Sequence, residues 1–214
     1  MIKKAKSGPA DWTALVSSEK PYEIQGHNEN GPKIALLDFG SKENIIRELR
    51  KRAQLIKIFP SSSTSSEIKA WNPDGILLSN GPGDPALVNP GIQTVRELLG
   101  WRFIFGICMG HQVLGLALGG KTYKLKFGHR GSNHPIRDTL VNRVYMTSQN
   151  HGYNVDIESL GDKVQVTHTN LNDNTIAGMI STQNKCMSVQ FHPESHPGPH
   201  DSVELFDYFM RQLV

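Results

Sequence analysis

The stretch Phe103-Ile104-Phe105-Gly106-Ile107-Cys108-Met109-Gly110-His111-Gln112 decides how the rest of the chain is read. Its apolar first half has the character of a buried strand, and Val113-Leu114-Gly115-Leu116-Ala117-Leu118 continues it as a helix, so Cys108 stands at a strand-to-helix turn of the nucleophile-elbow type. Glycines two residues before and two after remove the Cβ atoms that would crowd such a turn. The free N–H groups at the start of the new helix favour a thiolate. A small cysteine that merely ends a core strand is the plain alternative. The bracketing glycines and a candidate base downstream favour the nucleophile.

Outward from the elbow, apolar strands alternate with helical spacing. Ile34–Phe39, Leu55–Phe59 and Gly75–Ser79 are predicted strands; Lys42–Arg52, with Ile45, Ile46 and Leu49 on one face, and a short segment around Ile68 are predicted helices. This alternation predicts an α/β fold with a mostly parallel central sheet flanked by helices. After the elbow helix, strands at Val144–Thr147, Val164–Thr167 and Ile176–Ile180 are expected to add antiparallel members, and Leu205–Met210 closes the chain as a helix. The run Ser61–Ser66 could be low complexity, but it directly precedes Glu67-Ile68 and supplies a helix N-cap. Residues 1–32 are polar, with scattered Gly, Pro and Asn and one amphipathic patch at Trp12–Val16. They are expected to be an arm or linker, and 33–214 a single domain.

Composition narrows the function. Lys and Arg exceed Asp and Glu by 23 − 20 = 3, with both signs interspersed, so nothing marks a nucleic-acid partner. The basic start Met1–Lys6 has no apolar stretch behind it, and no run approaches the ~18 apolar residues of a membrane span. Two cysteines in 214 residues make no disulfide framework, and a working thiol suits a reducing compartment, so the expected location is cytoplasmic. Cys186 lies in an apolar strand and reads as core.

Further along, Ser188-Val189-Gln190-Phe191-His192-Pro193-Glu194 is an apolar strand ending in a histidine, with a carboxylate two residues on. His192 has the proton affinity to act as base for a thiol and then as acid for a leaving amine, and Glu194 can orient and charge-stabilise it. A metal reading of His192, Glu194, His196 and His200 is weakened by Pro193, Pro197 and Pro199, which forbid the helix that would align the histidines; no metal is expected. The loop Asn80-Gly81-Pro82-Gly83-Asp84-Pro85 follows a predicted strand on the same sheet edge. It could be an ordinary turn, yet the N–H of Gly81 or Gly83 could join that of Met109 in an oxyanion hole. It lacks the Lys-Ser/Thr ending of a phosphate loop.

Three blocks in order, Ser79–Pro85, Gly106–Gln112 and Phe191–Glu194, resemble the triad-type (class I) glutamine amidotransferases, whose domain is flavodoxin-like and which hydrolyse glutamine to glutamate and ammonia. Within that family, Lys126–Pro135, Thr147–Tyr153 and Pro197–Asp201 resemble the small subunit of carbamoyl phosphate synthetases, and the likeness runs from about Lys33 to the C-terminus.

The resemblance implies that Cys108 attacks the side-chain amide of L-glutamine to form a thioester, that His192 shuttles protons and that Glu194 supports it. It implies substrate contacts from Gly81, Gly83, Met109, Gln112, Asn150, Gly152 and Tyr153. Gln112 and Asn150 can hydrogen-bond an amino acid's charged ends, although Asn150-His151-Gly152 by itself would read as a hairpin turn. It further implies a large-subunit partner that binds ATP and makes carbamoyl phosphate for arginine and pyrimidine synthesis, with no cofactor on this chain. The chain departs from the family in three places: only the polar arm precedes Lys33, Met109 replaces a usual leucine, and Ser195-His196 replaces a usual Ala-Ser. The rival readings are a glutaminase subunit of an anthranilate or GMP type synthase and a catalytically weak interaction module.

Overall fold

The computed structural model describes residues 10–213; the basic start Met1–Lys6 lies outside them. After a short helix α1 (Thr13–Val16), the elements run β1 (Tyr22–Gln25), β2 (Lys33–Asp38), α2 (Glu43–Arg50), β3 (Leu55–Pro60), α3 (Ser65–Trp71), β4 (Gly75–Leu78), α4 (Asn89–Leu98), β5 (Phe103–Ile107) and α5 (Met109–Ala117). There follow β6 (Lys121–Asp138), β7 (Arg143–Asp156), β8 (Gln165–Asn170), β9 (Ile176–Ser181), β10 (Cys186–Val189) and α6 (Leu205–Arg211).

All ten strands join one sheet in the order β1-β3-β2-β4-β5-β10-β9-β8-β6-β7. The block β3-β2-β4-β5-β10 is parallel, and its order is that of the flavodoxin-like doubly wound sheet, in which ligands sit beyond the carboxyl ends of the strands. Strands β9, β8, β6 and β7 extend it antiparallel, as expected. Period-two alternation sends Ile34 and Leu36 of β2 to one face and Ala35 and Leu37 to the other. The first face is covered by α2 and α6, with Phe105 edge-on to Phe206 at 6.0 Å; the second packs Val95 and Leu98 of α4 and Val113 and Leu114 of α5. Helix α3 starts with a capping box between Thr64 and Glu67, so the serine-rich run acts as a cap.

The structure adds to and corrects the reading of the sequence in several places. The division at residue 32 does not hold as an arm or linker through its second half: Tyr22–Gln25 is an edge strand antiparallel to β3, with Ile24 packed against the core. Asn150-His151-Gly152, which alone would read as a hairpin turn, lies in the middle of the strand β7, paired with the longer β6. Helix α4 has no counterpart among the predicted elements.

Candidate active site

Strand β5 delivers Cys108 to the carboxyl edge of the sheet with φ 53° and ψ −98°, a left-handed conformation that a non-glycine residue holds only under constraint. The constraint is visible. Cys108 N–H donates to the Val189 carbonyl at 2.9 Å and Gly110 N–H to that of Ser79 at 3.0 Å, stitching the elbow to β10 and to the end of β4. Both bracketing glycines are required by space: a Cβ on Gly106 would lie 2.6 Å from the Gly110 oxygen, and one on Gly110 would lie 2.3 Å from the Leu78 oxygen.

Strand β10 carries His192 to the same edge, where its N–H donates to the Ser148 carbonyl at 2.9 Å. His192 Nδ1 lies 2.8 Å from Glu194 Oε1, so the carboxylate fixes the ring and leaves Nε2 for other work. Burial alone would lower the proton affinity of His192, but the charge and hydrogen bond of Cys108, with those of Glu194, outweigh it and carry its pKa to about 10. Burial would likewise raise Glu194, yet its hydrogen bond and attraction to His192, then those to Lys42, hold it below the ordinary carboxylate range.

Lys42 is the functional residue that sequence reasoning missed. It stands at the start of α2, beyond the end of β2, and its Nζ lies 2.9 Å from Glu194 Oε1 and donates to the Ser195 carbonyl at 2.7 Å. Asn44, at the start of α2, donates its Nδ2 to the Glu194 carbonyl and lies 3.2 Å from His196 Nδ1. The second imidazole near the site therefore faces the back of the Glu194 loop. Glu194 Oε2 is buried with no hydrogen-bond partner among the described residues.

Cys108 lies between two cavities. A cleft of about 410 Å³ is lined by Lys42, Gly81, Cys108, Arg130, Asn150 and His192 among others. A narrower one of about 110 Å³ is lined by Cys108 and by Gly81, Gly83, Met109, Gln112, Asn150, Gly152 and Tyr153, which brings all seven expected contact residues to one wall around the thiol. A Cβ on Gly81 would lie 2.3 Å from the Phe39 oxygen, so only glycine lets the loop approach there. Gln112 is buried, its Nε2 donating to the Tyr153 carbonyl at 2.7 Å and to Gln190 Oε1 at 2.9 Å. Arg130 and His151 also line the narrower cavity, and neither stands out in the sequence as a contact residue.

The alternatives separate on geometry. Cys186 is buried in β10, and desolvation pushes its thiol up to about 12, which makes it inert. His192 is engaged with Glu194, while His196 and His200 stack edge to face on each other at 5.2 Å. Among the described residues no three metal-ligating side chains converge.

A thiol on a strained elbow, an imidazole held by a buried carboxylate and a glycine-lined wall meet at the carboxyl edge of the sheet. The chain belongs to the class-I glutamine amidotransferase family, matching it over residues 35–212. More narrowly, it is 47% identical over 204 residues to the carbamoyl phosphate synthase small chain of Clostridium perfringens, covering 95% of this chain and 57% of that one. It is 50% identical over 201 residues to the small chain of Clostridium acetobutylicum, covering 94% and 56%. The chloroplastic small chain of Arabidopsis thaliana is 46% identical over 205 residues, covering 96% and 48%. The chain thus spans about half the length of these relatives. Among solved structures, a candidate GMP synthase component from Thermoplasma acidophilum superposes with a TM-score of 0.73 at 22% identity, covering 85% of this chain and 93% of that one. A glutamine amidotransferase from Thermotoga maritima superposes at 0.59 and 17% identity, covering 76% of each. These two share the fold.

Proposed function

We propose that this chain hydrolyses L-glutamine through a Cys108 thioester and supplies the ammonia to a large synthetase subunit that uses ATP to make carbamoyl phosphate. The observation that carries the reading is that Cys108 lines both the cavity walled by the seven residues expected to contact glutamine and the adjoining cleft lined by His192, whose ring Glu194 holds. The thiol proton passes to His192, whose proton affinity Cys108 and Glu194 raise. The thiolate attacks the amide carbon. The oxygen of the tetrahedral adduct is met by the N–H of Met109, the first of α5, and by those of the Gly81–Gly83 loop. His192 gives its proton to the leaving nitrogen, so ammonia departs and the γ-glutamyl thioester remains. Water, deprotonated by His192, then attacks the thioester, glutamate leaves, and the thiol recovers its proton. Glu194 stays ionised throughout, with Lys42 balancing its buried charge.

The carbamoyl phosphate assignment rests on relatives of 46–50% identity, and it makes the large subunit the acceptor of ammonia. No described helix is long and apolar enough to cross a membrane. We place the chain in the cytoplasm or, as the Arabidopsis relative's name suggests for plants, in a plastid; both buried cysteines are free thiols.

Incubation with a chloroketone analogue of glutamine, followed by intact-mass measurement and peptide mapping, tests the chemistry. One adduct on Cys108 that glutamine suppresses is expected; labelling elsewhere, or labelling indifferent to glutamine, refutes it. Co-purification with a carbamoyl phosphate synthetase large subunit tests the partner, and binding instead to an anthranilate or GMP synthase would reassign it.

A further inference from the structure

Behind the narrower cavity lies a chain of polar groups that the proposed chemistry does not use. Asp173, in the connection from β8 to β9, places Oδ2 2.7 Å from His129 Nε2. His129 Nδ1 lies 3.2 Å from His151 Nε2 on the neighbouring strand, at a register where the two histidines pair across β6 and β7. His151 Nδ1 lies 2.8 Å from the Tyr153 carbonyl, the same oxygen that accepts from Gln112 Nε2 at 2.7 Å.

Proton accounting fixes the roles. A carbonyl can only accept, so His151 carries its proton on Nδ1. Burial first, then the neighbouring histidines His129, His192 and His134, outweigh the bond to Tyr153 and depress the pKa of His151 to about 3. His129 Nδ1 approaches His151 Nε2 at 3.2 Å while its Nε2 faces the Asp173 carboxylate at 2.7 Å. Gln149 Oε1 lies 2.9 Å from the same His151 nitrogen, and Gln149 Nε2 donates to Thr147 Oγ1 at 3.3 Å. The ionisable groups facing His129 are Asp173 from the β8–β9 connection, His151 from β7 and His134 from its own strand, with rings 5.3 Å apart in the last case. The His129 side chain is only 12% exposed.

We propose that Asp173 and His129 are positioning residues for the substrate cavity: their contact holds His151, and through it the Tyr153 carbonyl and the Gln112 side chain, in register beside Cys108. The strands need such a strut because the β6–β7 ladder slips between Lys124 and His129 and again between Gly131 and His134, so backbone pairing alone does not hold this wall. The proposal rests on the glutamine-hydrolase reading and deepens it.

The test uses the full chain and the chloroketone analogue, with rates fitted to a half-saturating concentration and a limiting rate; iodoacetamide measures intrinsic thiol reactivity. Asp173→Asn is the informative variant because its remaining oxygen can still accept from Thr175 N–H and Oγ, as Oδ1 does at 3.1 and 2.8 Å. Asp173→Asn and His129→Gln are expected to raise the half-saturating concentration about tenfold, the scale of one charged hydrogen bond, with the limiting rate and iodoacetamide rate within about twofold. Asp173→Glu, which keeps the charge, recovers part of the loss. Unchanged half-saturation in Asp173→Asn overturns the proposal even if His129→Gln does not fold. So does a fall in the limiting and iodoacetamide rates matching the loss of affinity, which would mean general loosening. If labelling of the unmodified chain neither saturates nor yields to glutamine, the glutamine reading itself fails and the proposal with it.

Discussion

Alanine at Gly110 tests whether the elbow geometry is imposed by space. A Cβ there would sit 2.3 Å from the Leu78 oxygen, 2.7 Å from its Cβ and 2.8 Å from its carbonyl carbon. Ordinary contact begins near 3.4 Å, so α5 and β4 must part by about 1 Å. That movement stretches the Gly110 N–H bond to Ser79 from 3.0 Å to roughly 4 Å, beyond hydrogen-bonding range. Overpacking of this kind costs roughly 1–3 kcal/mol and the lost bond about 1 kcal/mol more. The expected destabilisation is therefore roughly 2–4 kcal/mol, which a domain of ordinary stability survives. The sign is diagnostic, because alanine for glycine inside a helix normally stabilises by about 0.5–1 kcal/mol. The displaced Met109 N–H should also slow adduct formation at Cys108, by about a hundredfold for a 1 Å misplacement. Urea midpoints and labelling rates give both numbers, with Gly161→Ala, whose Cβ would meet nothing within 4 Å, as a control expected within about 0.5 kcal/mol. A Gly110→Ala protein as stable as the parent and labelled within twofold of its rate would refute the steric argument.

Cys108→Ser should abolish both adduct and glutamine turnover with the unfolding midpoint nearly unchanged, whereas Cys186→Ala should leave turnover intact; a dead but folded Cys186 variant would mean that the wrong thiol was assigned. For His192 the folded pKa, about 10, exceeds the unfolded value of 6.5, so its stabilising contribution is complete below pH 6.5 and is lost as the pH rises through 10; urea midpoints of His192→Asn should lack that alkaline decline. His111, fully buried with Nδ1 2.8 Å from Ser188 Oγ, and His151 have folded values near 3. Their contribution is present above pH 6.5 and is lost as the pH falls toward 3, so unfolding between pH 6.5 and 4 should take up protons, measurable from the slope of stability against pH and reduced in His111→Gln.

The parts of the fold legible in the sequence are those where one local pattern has one structural solution. Ile34–Phe39, Leu55–Phe59 and Phe103–Ile107 are apolar on both faces because helices cover both, and glycines flanking a cysteine admit few backbones. Helix α4 was hidden by Pro90 and Gly91, which look like loop residues; proline is tolerated in a first helical turn because its missing N–H has no intrahelical partner there. Strand β6 was hidden because most of its length is exposed and it carries Gly128, Gly131 and Pro135 around its bulges. Strand β1, with Glu23 and Gln25 exposed, is held by ladder bonds to β3 more than by burial.

The site divides along the same line. Cys108, His192 and Glu194 announce themselves because each sits in a short motif whose chemistry is local. Lys42 does not, since a lysine opening an amphipathic helix ordinarily faces water. What makes it functional is a contact across 152 positions of sequence, to a carboxylate whose side chain has no exposure while the lysine's is 31% exposed. A buried carboxylate holding a histidine has a desolvation penalty that the histidine alone offsets only when protonated. Lys42 offers a permanent positive charge on the same oxygen, so Glu194 stays ionised when His192 has given its proton away. Lys42→Met should therefore act most strongly in the step that needs neutral His192 as base. The thioester should accumulate during glutamine turnover, visible by mass in acid-quenched samples. A variant that loses activity without accumulating the acyl-enzyme would place the lysine's role in substrate binding or in the first attack instead.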